Sequence, residues 1–152
     1  MIRKLLFGAC IGGLIIGQVY EAPLEQQAKE AKLWQNTQSS NDTTRARAEG
    51  ELLKLAKNKG ISNSSEAEAI YKQILAINPN SAPAHTRLAE IQLKRWSTTK
   101  NPIDKESGLN HLSKAKELYK QYKVDFYVQK LEKVEAQVNK GTPGYAWDFP
   151  QL

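Results

Sequence analysis

The feature that most constrains the fold is the helical spacing of apolar residues, which runs through almost the whole chain after Pro23. Leu24, Ala28, Ala31 and Trp34 recur every three or four residues, which is the spacing of an α-helix. The same spacing returns near the carboxyl end, in the set Tyr127, Leu131, Val134 and Val138. No segment keeps the alternation of a half-buried strand for long. The sequence therefore predicts an all-α fold.

Breaks in this spacing divide the chain. We expect a first helix that ends before Gln38, and further helices over about 43–58, 65–77, 81–96, 108–123 and 125–140. Gly60 is expected to end the helix at 43–58. The polar residues 98–107 are expected to form a loop. The predicted organisation is a membrane segment at 1–22, a helix and linker at 23–44, a helical domain at 45–140 and a tail at 141–152.

The amino terminus carries an uncharged apolar run, Leu5 to Val19, behind the basic pair Arg3 and Lys4. As a helix this run spans roughly 23 Å, against about 30 Å for a bilayer core, and its length alone fits a signal peptide. No A-x-A cleavage pattern follows it, and Arg3 and Lys4 can snorkel to the membrane surface. A retained transmembrane helix is the leading prediction, with a cleaved signal and a lipoprotein modified at Cys10 as alternatives.

Glycines in this run are spaced for helix packing, because Gly8 with Gly12, and Gly13 with Gly17, form two G-x-x-x-G motifs. Such spacing lets a second transmembrane helix approach closely. The basic residues at the start predict a cytoplasmic amino terminus and an exported remainder. A bacterial inner membrane facing the periplasm is the expected location, and a mitochondrial or thylakoid membrane would use the same physics.

The chain is basic, with a formal net charge of +6. Residues 94–140 hold eleven basic and six acidic side chains, whose signs alternate without an arginine-rich block. This pattern argues against nucleic acid as a partner. It is typical of a solvated helical surface, and the alternatives are contact with anionic lipid or with an acidic protein.

No arrangement of residues in the sequence suggests catalysis. The chain has two histidines, of which His85 is assigned a packing role and His111 a place on a helix surface. No glycine-rich phosphate loop, metal-binding spacing or cysteine pair occurs. The sequence therefore predicts a protein that is not an enzyme and that holds no cofactor or metal.

One segment carries a family resemblance. Ala67, Tyr71, Leu75 and Pro79 stand at the spacing of the second helix of a tetratricopeptide repeat, which this segment resembles. Leu88 and Ala89 match the first helix of the following repeat. An echo of Ala67 and Tyr71 follows 48 residues later, against about 34 in a standard repeat; it consists of Ala115 and Tyr119. We place the extra residues in the loop at 98–107.

The resemblance implies helix-turn-helix units that bind other proteins, usually through their concave face. Candidate partner contacts on the first helix of the second repeat are His85, Arg87, Glu90 and Gln92. His85 replaces the usual aromatic residue of the family and Gln92 its usual tyrosine. These two departures make the second repeat imperfect.

The tail after Lys140 is expected to be extended, because glycine and proline interrupt it. It carries three large aromatic residues, Tyr145, Trp147 and Phe149, which either fold back on the helices or anchor a partner. Together these observations predict a single-pass membrane scaffold or subunit that binds partner proteins of a membrane complex. The alternatives are a secreted or periplasmic adaptor with a cleaved signal, and a transient assembly factor.

Overall fold

The computed structural model describes residues 24–62 and 64–151. Six α-helices follow one another in these ranges: α1 (Leu24–Asn36), α2 (Asp42–Ser62), α3 (Ser64–Ile77), α4 (Ala82–Thr99), α5 (Pro102–Gln121) and α6 (Asp125–Asn139). A short 3-10 turn, Gly144–Ala146, follows α6. The described ranges contain no β-strand, so the prediction of an all-α fold is confirmed.

The predicted membrane helix at 1–22 and its glycines Gly8, Gly12, Gly13 and Gly17 lie outside the described residues. Among the helices that the structure describes, none combines the length and the apolar character needed to cross a membrane.

Helix α2 continues through Gly60 to Ser62, so the predicted end of this helix is wrong. A glycine in a helix interior costs only about 1 kcal/mol relative to alanine, which tertiary contacts can offset. In the last turn of α2, the Lys59 ammonium lies 3.4 Å from Glu30 of α1 and 3.3 Å from Glu66 of α3. These contacts hold the final turn against both neighbouring helices.

The predicted loop at 98–107 is also wrong, because α5 begins at Pro102 and only two residues separate it from α4. Lys100 adopts a left-handed conformation (φ 58°) that ends α4. The side chain of Asn101 then accepts a hydrogen bond from Ile103 N at 3.0 Å, and proline suits the first position of a helix. The extra residues of the second predicted repeat therefore lie in the long helices α4 and α5.

Helix α4 lies at the centre, between two clusters of buried apolar side chains. On one side Ala84 and Leu88 pack with residues of α2 and α3. On the other side Ala89 and Leu93 pack with residues of α5, α6 and the tail. Because both faces of α4 are covered, this helix joins the two halves of the described structure.

Close packing between α4 and α5 centres on Gly108. A Cβ atom at this position would lie 2.6 Å from Leu93 Cγ and 3.2 Å from Leu93 N. Leu93 itself is fully buried. The sequence analysis placed Gly108 at the start of a helix, whereas the structure uses it inside α5 to let the two helix backbones approach.

The positions assigned to repeat packing are mostly buried. Six of the eight are inaccessible or nearly so: Ala67, Tyr71, Leu88, Ala89, Ala115 and Tyr119. Leu75 is partly buried against the α2–α3 cluster, and Pro79 is exposed in the turn between α3 and α4. These burials fit successive helices that pack side by side, as the sequence pattern requires.

Candidate functional site

A groove of about 570 Å³ opens between α2 and α4, and one residue of α3 also lines it. Its apolar surface comes from Gly50 and Leu53 of α2, Tyr71 of α3 and Pro83 of α4. A Cβ atom at Gly50 would meet nothing within 4 Å, so this part of the groove is open space. Burial raises the pKa of Tyr71 to about 12, and its phenol therefore stays uncharged at physiological pH.

Cationic side chains border the groove. Lys54, Lys57 and Arg87 line it together with the amide of Asn58, and the lining includes no carboxylate. The Lys54 ammonium lies 2.8 Å from Glu51, in an ion pair whose side chains are 72% and 48% exposed. Such exposed pairs contribute little and rearrange readily. A ligand carboxylate can therefore compete for Lys54 at the edge of the groove.

The four partner contacts predicted on α4 do not share one face. Each residue turns a helix by about 100°, so Gln92 lies nearly above His85, whereas Arg87 and Glu90 point to other sides. Arg87 is buried, lines the groove and donates to Glu90 at 2.7 Å. Glu90 also accepts from Lys94 at 2.7 Å. Of these residues, Arg87 is the one that the structure places in the groove.

Gln92 is 5% exposed, and its Oε1 atom has no hydrogen-bond partner among the described residues. Gln92 does not line the groove, and so little of its side chain is exposed that it offers almost no surface to a partner. Gln92 is therefore not part of the accessible surface. It also lies on a different side of α4 from Arg87, given the rotation of about 100° per residue.

His85 and His111 contact each other across the interface of α4 and α5, with 2.8 Å between their Nδ1 atoms. His85 Nε2 lies 3.0 Å from the carbonyl oxygen of Pro79. The surface position expected for His111 is therefore wrong, because this ring is partly buried against α4. Burial lowers the pKa of both rings, to about 4 for His111.

An ion network that the sequence analysis missed ties α3, α4 and α5 together. Arg95 of α4 donates to Glu68 of α3 at 2.6 Å and to Asp104 of α5 at 2.6 Å. Lys72 adds a second pair to Glu68 at 2.8 Å. Burial by itself would raise the pKa of Glu68, but the hydrogen bonds from Arg95 and Lys72 outweigh it and lower the pKa to about 2. The four residues of this network come from three helices, and Glu68 lies 27 positions before Arg95.

The aromatic tail folds back on its own helices. Trp147 stacks on Trp96 of α4 with 6.3 Å between ring centres, and its Nε1 atom donates to Thr142 O at 3.1 Å. Phe149 is 1% exposed within the same cluster. Of the three tail residues proposed as anchors, only Tyr145, which is 89% exposed, remains available to a partner. The tail also contains a 3-10 turn, so it is not extended throughout.

Two further features bear on chemistry. A second cavity, of about 540 Å³, lies where the α1–α2 turn meets the end of α3, and Glu49 there accepts a hydrogen bond from Asn78 at 2.8 Å.

Within the described ranges, no three or more histidine, cysteine, aspartate or glutamate side chains converge as metal ligands would.

Comparison of the chain with protein-family models, with curated proteins and with solved structures gives no match.

Proposed function

We propose that this protein is a non-catalytic scaffold that holds a segment of a partner protein in the groove between α2 and α4. The observation that carries the proposal is the groove itself. Its volume of about 570 Å³ lies within the range of about 300–1,000 Å³ that is typical of ligand sites. An apolar surface beside a few polar groups is the usual design of such sites.

The chemistry of the lining indicates the kind of segment that fits. Leu53 and Pro83, which are partly exposed, offer apolar area to a large side chain above the buried Tyr71. Lys54 and Lys57 at the groove border favour carboxylates, and a carboxylate of the ligand would replace Glu51 as the partner of Lys54. The proposed ligand is therefore an acidic segment of a protein that carries at least one large apolar residue.

The tetratricopeptide resemblance points to the same function. The packing residues quoted for it are mostly buried, and α2 and α3 form a helix pair beside α4. A repeat of this kind buries its inner face only by stacking on a neighbour. In this interpretation α2 and α4 are the first helices of two successive repeats, and the groove between them is the concave face of the array.

The membrane half of the proposal rests on the apolar run behind Arg3 and Lys4. A retained helix would keep the scaffold beside a membrane complex, and Gly12 and Gly13 would pack against a partner helix. Replacing both glycines with leucine is expected to reduce the amount of assembled complex. Unchanged levels of complex would favour the alternative of a free adaptor with a cleaved signal.

A photocrosslinking experiment tests the groove. A photoreactive phenylalanine analogue replaces Asn58, which lines the groove, in the full-length chain expressed in its native cells. The matched control carries the analogue at Asn110, an exposed residue of α5 that lies outside the groove lining. We expect one discrete protein adduct from position 58 and none of the same mass from position 110.

A second substitution separates specific binding from chance contact. Gly50→Leu places a larger side chain at a residue that lines the groove, where nothing lies within 4 Å of an added Cβ atom. This variant is expected to abolish the adduct from position 58, whereas Gly50→Ala should retain it. An adduct that persists in Gly50→Leu would refute the groove as the binding site.

A further inference from the structure

The two histidines of the chain meet end to end. The centres of the His85 and His111 rings are 5.1 Å apart, and their Nδ1 atoms are 2.8 Å apart. The distance between the ring centres nearly equals the Nδ1–Nδ1 distance plus the distance from each Nδ1 atom to the centre of its own ring. The rings therefore point at each other along the line between the nitrogens, as a hydrogen bond requires. Two metal ligands would instead converge on a third point.

The neighbouring carbonyl fixes where the protons sit. Pro79 O can only accept, so His85 Nε2 carries a hydrogen and donates to it at 3.0 Å. A neutral His85 then has a lone pair on Nδ1, and the proton between the rings belongs to His111 Nδ1. One added proton leaves this bond intact, because it binds His111 Nε2, and the proton between the rings either stays on His111 Nδ1 or moves to His85 Nδ1. Two added protons place two N–H groups face to face and break the bond.

The surroundings of the pair oppose the second proton. Lys72 of α3 and Lys114 of α5 both disfavour charge on the rings, and Glu68 of α3 is the carboxylate that favours it. That carboxylate already accepts from Arg95 and Lys72. Burial of both rings acts in the same direction as the two lysines.

We propose that His85 and His111 form an acid-sensitive latch that holds the first turns of α4 against α5 and against the α3–α4 turn, and that opens when both rings are protonated. His85 lies one turn into α4, beside Pro83 and Arg87, which line the groove. Opening the latch frees the part of α4 that forms one wall of the groove. The latch depends only on the histidine geometry and would exist whether or not the groove binds a protein.

The sign of the pH effect follows from the burial of the rings. Both histidines bind protons more weakly in the folded chain than in the unfolded chain, whose histidines titrate near pH 6.5. As the pH falls from about 6.5 towards 4, the unfolded state therefore takes up more protons and stability decreases. Each excess proton raises the unfolding equilibrium constant about tenfold per pH unit within this window.

The direct test is nitrogen NMR of the imidazole rings in the full-length chain, in a mild detergent, from pH 8 to pH 4. At pH 8 we expect His85 to carry its proton on Nε2 and His111 on Nδ1. On acidification the two rings should titrate in two coupled steps, with the second well below pH 6.5. The opposite tautomers, or two independent titrations near pH 6.5, would overturn the proposal.

Variants extend the test to the conformation. His111→Gln keeps a donor for His85 Nδ1 and removes one titrating ring, so its unfolding should lose the part of the pH dependence between pH 6.5 and 4 that His111 contributes. His111→Leu removes the bond at every pH, and it should exchange the backbone amides of the first turns of α4 faster already at pH 7. A His111→Gln chain with the same pH dependence as the wild type would contradict the latch.

Discussion

Two glycine-to-alanine substitutions with the same local chemistry should change stability in opposite directions. Gly50 in α2 and Gly108 in α5 both lie inside helices. Alanine at either position should by itself raise the free energy of unfolding by about 0.5–1 kcal/mol, because it restricts the unfolded chain and favours the helix. At Gly50 nothing lies within 4 Å of the added Cβ atom, so Gly50→Ala should stabilise the protein by about that amount.

At Gly108 the added atom collides with α4. It would lie 2.6 Å and 2.8 Å from Leu93 Cγ and Cδ2, and 3.2 Å from Leu93 N. Leu93 is fully buried and has little room to change rotamer, so the two helix backbones must separate. Overpacking of this kind costs about 1–3 kcal/mol, which exceeds the helix gain. We expect Gly108→Ala to destabilise the protein by about 1–2 kcal/mol, although alanine is the better helix former.

Urea unfolding of both variants checks this pair of predictions, provided that the slope of the transition stays unchanged. A double substitution isolates the contact: in a Leu93→Ala background, Gly108→Ala should no longer destabilise, and the two changes should couple by about 1 kcal/mol or more. If Gly108→Ala stabilises as much as Gly50→Ala does, α4 and α5 do not cross at Gly108 and the core described above is wrong.

Three further predictions concern the ion network and the tail. Arg95→Met leaves the largely buried carboxylates of Glu68 and Asp104 without their main partner. Urea unfolding should show a loss of about 1–2 kcal/mol, below the about 3–5 kcal/mol of a fully buried pair because the Arg95 side chain is 41% exposed, and full stability would refute the network. The Glu68 carboxylate has its pKa lowered to about 2, so its contribution should vanish as the pH falls from about 4.5 to 2, and Glu68→Gln should flatten acid unfolding in that window. Trp147→Ala should cost about 3–5 kcal/mol and Tyr145→Ala less than about 0.5, because only Trp147 is buried; equal effects in thermal unfolding would show that the tail is undocked.

The helices could be predicted from the sequence where local signals agree. Apolar spacing and the break at residues 38–41 place α1 and the start of α2, and Pro79 follows the end of α3. The polar residues 98–107 and Gly108 indicate a loop followed by a helix start, whereas α5 begins at Pro102. The pair Asn101-Pro102 carried the correct signal, since an asparagine cap followed by proline is typical of a helix beginning. The glycine serves a tertiary contact with Leu93 that no local pattern reveals.

The candidate site was harder to predict, because its residues come from separate helices. The His85–His111 pair and the Glu68–Arg95 pair join residues 26 and 27 positions apart. Such contacts depend on how helices cross, which apolar spacing alone does not determine. By contrast, the rotation of about 100° per residue in a helix would separate Arg87 from His85 and Gln92, although the sequence-based prediction grouped them. The groove between α2 and α4 likewise emerges only once three helices are packed.

We propose that the α2–α4 groove holds a partner protein in a membrane complex. The most direct measurement is gentle detergent extraction of native membranes, followed by native separation and intact mass of the complexes formed by the wild type, Gly50→Ala and Gly50→Leu. We predict that the full-length chain migrates with a partner at a fixed ratio in the wild type and in Gly50→Ala, and runs alone in Gly50→Leu. A chain that runs alone in all three, or a complex that survives Gly50→Leu unchanged, would contradict the claim.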